Sequence, residues 1–396
     1  MSQARLAFAA NAKYGLGGQG EFLRMMAIAL RDETNAVVYS RHVPPGGVRA
    51  VDLPFVDTLR ARALQALLSV PVLRGRHDWL TLLSDIDFDR RVAAQIGEPD
   101  LFDGVMAQCA TTIDTLKRGR TRIVMTSLVG HMSHLADMLR DECRLANVNG
   151  PTFVHPRMVA RGLREIANAD HIRVLSEVAR QTFISRGVDP NRVTSIHPAI
   201  DLEHFRPAPK VDDVFRVLTV SSIDPRKGVH YLLEAFVKAG IPNSELVIIG
   251  GTGDRWSKQL MQGYQARNAN IHIRHADVTR VPAADTYGTS SVLVHPAIED
   301  GFGLVVAQSL ACGRPVIATK ETGASELITH GRNGFVINAR DVDAIVDTLR
   351  TLARDETLWR SMCEASRPAV ERLTHEAHTR NVRAFYKRVL TASNVA

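Results

Sequence analysis

The sequence predicts an α/β protein built from two doubly wound parallel sheets that face each other across a cleft. Three observations lead there. Short apolar, β-branched runs alternate with amphipathic stretches along the chain, the pattern of βαβ units whose sheets are covered on both faces. At 396 residues the chain is longer than one ordinary core organises. The segment DLEHFRPAPKVDD, residues 201–213, carries two prolines and few large apolar groups and reads as a linker.

Taken in order, the first half predicts strands at Leu6–Ala9, Ala36–Tyr39, Val105–Gln108, Ile123–Thr126, Ile172–Leu175 and Val193–Ile196. Helices are predicted at Glu21–Leu30, Leu59–Val70, Ser133–Leu145, Met158–Ala167 and Glu177–Arg186. The second half predicts strands at Phe215–Val220, Leu246–Ile249, Ile271–Ile273, Ser291–Val294, Val316–Thr319 and Gly334–Ile337. Its helices are Val229–Ala239, closed by Gly240 and Pro242, then Arg255–Ala266, Leu304–Cys312 and Asp341–Ala353. The expected domains are 1–205 and 206–375, with a last helical segment, 376–396, able to pack back on the first. Ligands of such folds sit outside the carboxyl ends of the strands.

Composition narrows the function. The chain is 45% hydrophobic and 23% charged, which suits a soluble globular protein. Its cysteines, Cys109, Cys143, Cys312 and Cys363, form no CxxC pair, so a reduced, cytoplasmic protein is expected. The first apolar stretch is too short for a secretory signal, and no apolar run reaches membrane-spanning length. A formal charge of +7 points to nucleic acid, anionic lipid or a phosphorylated substrate. Nucleic acid is set aside, because neither a Lys/Arg block nor a recognition motif is present.

The most informative segment is HPAIEDGFGLVVAQSLACGRPVIAT, residues 295–319. A strand ends in acids, passes through Gly301, Phe302 and Gly303, and opens an apolar helix that Gly313 and Pro315 terminate. That order makes an anion site with a hydroxyl-binding carboxylate beside it, which fits a sugar on a diphosphate. GLGGQG, residues 15–20, follows the first strand and opens a helix in the same way, allowing close backbone approach at Gly17 and Gly18. SSIDPRKG sets Arg226 and Lys227 at a helix start, where cations oppose the helix dipole and a diphosphate explains them better.

These segments, with VIIGGTGD and TGASELITHGRNGFVI, resemble the family-four retaining glycosyltransferases of the GT-B fold, which pair two Rossmann-like domains and use nucleotide sugars. The resemblance covers nearly the whole chain. It implies donor contacts from Arg226, Lys227, Gly251, Glu299, Asp300, Gly301, Phe302, Gly303, Leu304 and Gln308, and a phosphate or acceptor loop at Gly17 and Gly18. Where the family has two glutamates, this chain has Asp300 and Gln308; where the family has a diphosphate arginine, it has Ser222. Asp300 keeps the carboxylate, Glu299 stands beside it, and an amide at 308 can still bond ribose hydroxyls. The resemblance also implies a histidine near the reacting carbon. Of His131 and His134, the first is favoured, eleven residues before Glu142.

Two features stay outside this set. The aspartates of DIDFD, residues 85–89, have a metal-like spacing, but Arg90 stands where a calcium loop needs glycine. A solvated acidic loop or helix start is expected there, and no metal or other cofactor. The stretch Thr58–Val70, with Arg60, Arg62, Arg74 and Arg76 in or after it, suits either an anionic membrane surface or packing on its own domain. The resulting expectation is a metal-independent, retaining hexosyltransferase with His131, Asp300 and Lys227 at its catalytic centre. It would use a nucleotide sugar and a glycan or lipid-linked acceptor in bacterial polysaccharide, lipopolysaccharide or glycolipid synthesis. Its expected place is the cytoplasm, with a peripheral contact at the inner face of the plasma membrane. A nucleotide-sugar binding protein of weak activity is the alternative, and a phosphorylase or epimerase of similar architecture a third reading.

Overall fold

The structure is a computed structural model that describes residues 4–33, 35–42, 48–54, 77–148, 154–251, 255–274 and 286–392. The helix predicted over Leu59–Val70, with Arg60, Arg62, Arg74 and Arg76, lies outside the described residues, as do 252–254 of the GGTGD loop.

The first half runs β1 (Leu6–Ala9), α1 (Gly17–Leu30), β2 (Ala36–Ser40), β3 (Arg49–Asp52), α2 (His77–Ala93), β4 (Leu101–Val105), α3 (Ala110–Leu116), β5 (Arg122–Thr126), α4 (Met132–Leu145), α5 (Pro156–Asn168), β6 (His171–Val174), α6 (Glu177–Ile184) and β7 (Val193–Ser195). The second runs β8 (Phe215–Val220), α7 (Val229–Ala239), β9 (Ser244–Ile249), α8 (Arg255–Gln265), β10 (Ile271–Arg274), β11 (Val292–His295), α9 (Leu304–Ala311), β12 (Val316–Thr319), β13 (Gly334–Ile337), α10 (Val342–Arg354), α11 (Glu356–Ser366) and α12 (His375–Thr391).

Among the described residues these strands form two sheets, ordered β3-β2-β1-β4-β5-β6-β7 and β10-β9-β8-β11-β12-β13. All pairings are parallel: Leu6 of β1 lies opposite Ala36 and Leu101, and Val217 of β8 opposite Leu246 and Val292. The strand order reverses beside β1 and beside β8. Loops leaving the carboxyl ends there diverge and open a crevice. Strands β11 and β12 are buried at every position, as expected of parallel strands covered on both faces.

Several elements differ from expectation, each for a physical reason. The strand predicted at Val105–Gln108 lies at Leu101–Val105 instead. Asp103 disguises it, because its buried charge is met by Arg173 at 2.8 Å and the Tyr386 hydroxyl at 2.6 Å. Edge strand β3, RAVD, has too short an apolar pattern to announce itself. Two of the three DIDFD aspartates are not solvated. They belong to α2, where Asp85 and Asp89, four residues apart, share an inward face at 2% and 0% exposure. The last helix, α12, packs on the first sheet through Tyr386, and Arg383 reaches Asp32 at 3.2 Å. The two crossings between domains meet where the Ile200 amide donates to the Leu373 carbonyl at 2.7 Å.

Candidate functional site

A cavity of about 540 Å³ opens where the two crevices face each other. Its floor on the second domain comes from loops at the carboxyl ends of β8, β9 and β11, and its opposite wall from the start of α1 and the loop after β5. Of the residues singled out in the sequence, Gly18, Arg226, Lys227, Gly251, Asp300, Phe302, Gly303, Leu304 and Gln308 line it. Gly17, Glu299, Gly301, His131 and His134 are not in its lining.

The charged centre is compact. Asp224 caps the 3-10 turn Pro225–Lys227 by accepting the Lys227 amide at 3.2 Å, and Gly228 (φ 63°) then starts α7. A Cβ at Gly228 would stand 2.0 Å from the Pro296 carbonyl oxygen, so the turn packs backbone to backbone on the strand-end loop. This delivers Lys227 Nζ to Asp300 Oδ2 at 2.5 Å, and His295 Nε2 donates to the same oxygen at 3.0 Å. Both contacts go to Oδ2, and Oδ1 takes neither. Burial alone would raise the Asp300 carboxyl, but Lys227, His295 and Arg226 together hold it well below its usual range. Burial lowers His295, outweighing the Asp300 contact, so a neutral imidazole supports an ionised carboxylate.

Beside it, Arg226 pairs with Glu299 Oε2 at 3.1 Å, and the Gly130 amide donates to Glu299 Oε1 at 2.8 Å across the cleft. Gln308 Oε1 accepts from the Tyr287 hydroxyl at 2.8 Å. That bond orients the side chain so that the amide NH₂ remains as its donor end. Helix α9 starts after Gly303 (φ 82°) without a side-chain cap, and α1 starts after Leu16 without one either. Uncapped helix starts beside a cavity leave amide donors for an anion.

His131 is the N-cap of α4. Its Nδ1 accepts from the Ser133 amide at 3.3 Å, and the ring meets Phe183 edge-on at 5.2 Å. Glu142, eleven residues on, closes a bridge between domains. It accepts from His230 Nε2 and the Tyr231 hydroxyl, each at 2.9 Å, and from Arg340 Nε at 2.7 Å. Burial would raise the Glu142 carboxyl, but these three partners hold it below its ordinary value. A third bond across the cleft runs from Ser176 Oγ to the Gly301 carbonyl at 2.7 Å.

Sequence reasoning missed His295, Ser221, Gln19 and the Leu128–Val129 loop, all of which line the cavity. For His295 the signal was its place as the last residue of a buried parallel strand. Gln19 and the β5 loop carry no local signal, since their role depends on how the two domains meet.

Residues 201–368 match the family described as "Glycosyl transferases group 1". The chain is 26% identical over 321 residues to the GDP-mannose-dependent alpha-(1-6)-phosphatidylinositol monomannoside mannosyltransferase of Mycolicibacterium smegmatis, covering 74% of this chain and 78% of the relative. It is 30% identical over 199 residues to D-inositol 3-phosphate glycosyltransferase 2 of Catenulispora acidiphila, and there it spans 45% of the relative's length. Among solved structures, sucrose-phosphate synthase from Thermosynechococcus elongatus superposes with a TM-score of 0.74 at 19% identity, covering 98% of this chain and 99% of that one. Two parallel-sheet domains, a cleft between their reversal points and the likeness to solved structures together make one statement: the chain has the two-domain GT-B architecture, and its residues 201–368 are similar to the group 1 glycosyltransferases.

Proposed function

We propose that the protein is a retaining hexosyltransferase that moves a sugar from a nucleotide-diphosphate donor to an acceptor hydroxyl in bacterial polysaccharide, lipopolysaccharide or glycolipid assembly, at the cytoplasmic face of a membrane. The observation that carries this reading is the juxtaposition of Lys227 and Asp300 at 2.5 Å on the wall of the inter-domain cavity, beside the uncapped start of α9. As the glycosidic bond breaks, negative charge gathers on the departing diphosphate. Lys227, Arg226 and the helix-start amides are placed to stabilise it, which would remove the need for a metal ion. Asp300, ionised and acceptor-only, offers Oδ1 to donor-sugar hydroxyls, and the Gln308 amide suits the ribose. The departing phosphate oxygen would take the acceptor's proton on the same face of the sugar. Closure of the domains keeps water from consuming the donor.

The test is incubation with UDP-, GDP- and ADP-sugars and cell-envelope acceptors in the presence of chelator. Nucleoside diphosphate should be released, with the anomeric configuration of the donor kept in the product. Lys227→Ala should lower kcat/KM for the donor by about 10- to 100-fold, the value of a lost charged hydrogen bond. Full activity in that variant would remove the diphosphate assignment. Donor binding without release across the acceptor panel would make the protein a nucleotide-sugar binder instead.

A further inference from the structure

A second cavity, of about 640 Å³, adjoins the first and shares Gln19, Leu128, Val129 and Arg226 with it. It has two unlike sides. One is apolar: Leu80 from α2, Met132, Leu135 and Leu139 from α4, and Val154 and Met158 at α5. A smaller cavity of about 250 Å³, lined by Ala136, Leu139, Val154, Pro156 and Val159 together with Arg140, shares Leu139 and Val154 with that side. The other side is polar, with Asn11, Ser84, Asp85 and Gln108. It is rigid, because Asn11 is held from every direction. Its amide donates to Gln108 Oε1 at 2.8 Å, its Oδ1 accepts Arg41 Nε at 2.6 Å, and its Nδ2 donates to Asp85 Oδ1 at 2.6 Å.

Asp85 is 2% exposed, and its other oxygen, Oδ2, has no hydrogen-bond partner among the described residues. A buried carboxylate oxygen without a donor is costly, and a hydroxyl-bearing ligand at this wall removes the cost. Among the described residues lining the cavity, Arg226 is the one Lys or Arg, and it stands on the side shared with the first cavity, where the donor reading gives it to the diphosphate. Asp85 and Asp224 line the same space. A phosphate would therefore meet the carboxyls of Asp85 and Asp224 and an arginine already given to the donor, whereas an uncharged polyol meets acceptors and amides.

We infer that this second cavity takes the acceptor as an uncharged, hydroxyl-bearing head on an apolar chain, with Asp85 Oδ2 accepting one hydroxyl of the head. The inference rests on the donor reading of the first cavity and specifies its partner. It also separates this chain from the relative named for inositol 3-phosphate, a phosphate-bearing acceptor.

The probes are octyl α-D-mannopyranoside, octyl β-D-glucopyranoside, mannose 6-phosphate and glucose 6-phosphate. Each is titrated by calorimetry into the full-length protein, with and without the nucleoside diphosphate that binds, and is also offered as acceptor. The expected result is binding of the octyl hexosides, with the phosphorylated hexoses at least about tenfold weaker. Asp85→Asn, which keeps an acceptor for Asn11, should weaken octyl hexoside binding about tenfold or more and leave nucleotide binding unchanged. A crystal soaked with an octyl hexoside should place a sugar hydroxyl within hydrogen-bond distance of Asp85 Oδ2, a readout that needs no variant. Preference for the phosphorylated hexoses, equal binding by Asp85→Asn, or no octyl hexoside binding by protein that binds nucleotide would overturn the inference. Failure to bind any nucleotide would strike the donor reading instead, and the octyl hexoside titration of free protein would still stand.

Discussion

The His131 imidazole is fixed by its own helix before any ligand arrives. Nδ1 accepts the Ser133 amide, so the proton belongs on Nε2. Burial, then repulsion from Arg186 and His134, pushes its pKa down to about 4. The unfolded chain takes up this proton near pH 6.5. Between about 6.5 and 4 the unfolded state therefore binds more protons than the folded one. The stability owed to the neutral ring is complete above that window and is lost as pH falls through it. Imidazole carbon shifts of His131 should stay constant from pH 8 to 5; a titration midpoint above 6 would contradict the buried, neutral ring. Any role for His131 at neutral pH is thus that of an uncharged group, and the charge at the site comes from Lys227, Asp300 and Arg226.

At the scale of elements, Asp89 ties three helices together. From α2 it accepts the Thr111 amide at 2.7 Å and the Thr112 amide at 2.9 Å, capping the first turn of α3, and Arg161 of α5 reaches it at 2.7 Å. Asp89→Ala removes the cap and leaves Arg161 without its carboxylate. The expected loss is about 3–5 kcal/mol, the usual effect of breaking a buried pair from one side. Urea unfolding should show it as a fall in midpoint at unchanged slope. Pairing Asp89→Ala with Arg161→Met should recover part of that loss, because the stranded charge is then gone. The sequence supplied the i, i+4 spacing of Asp85 and Asp89, but acids at that spacing suit water as well as a buried pair. Only the approach of α3 and α5 selects the second.

Across the whole molecule, the closed cleft depends on small atoms at the seam. A Cβ at Gly301 would lie 2.2 Å from the Leu128 carbonyl oxygen and 2.8 Å from the Val129 Cα, both on the opposite domain. Gly301→Ala should leave each domain core intact and hold the two apart. Transfer should fall by roughly a hundredfold, as expected when reacting groups are misplaced by an ångström or so. Donor binding to the second domain should change far less. Small-angle scattering with donor present should show a larger radius of gyration than wild type, and an unchanged radius with full turnover would exclude the seam as the cause of closure. Glu142, with His230, Tyr231 and Arg340, makes a second seam at the end of α4.

The sequence alone determined the two-sheet α/β architecture and the strand–glycine turn–helix order of residues 295–319, because strand period, helix stops and glycine turns are encoded within a few residues of each other. It also singled out Lys227 from its place at a helix start, and Asp300 and Gln308 through the resemblance of their segment to a known family; all three line the cavity. Only the tertiary structure decided that Asp85 and Asp89 are buried, that Asp103 completes a strand through Arg173 and Tyr386, and that α12 returns to the first sheet. A buried charge can be accommodated only by a partner distant in sequence. The same holds for the cleft itself, whose two sides are brought together by contacts such as that of the Gly130 amide with the Glu299 carboxylate, 169 positions apart, which leave no mark in local sequence.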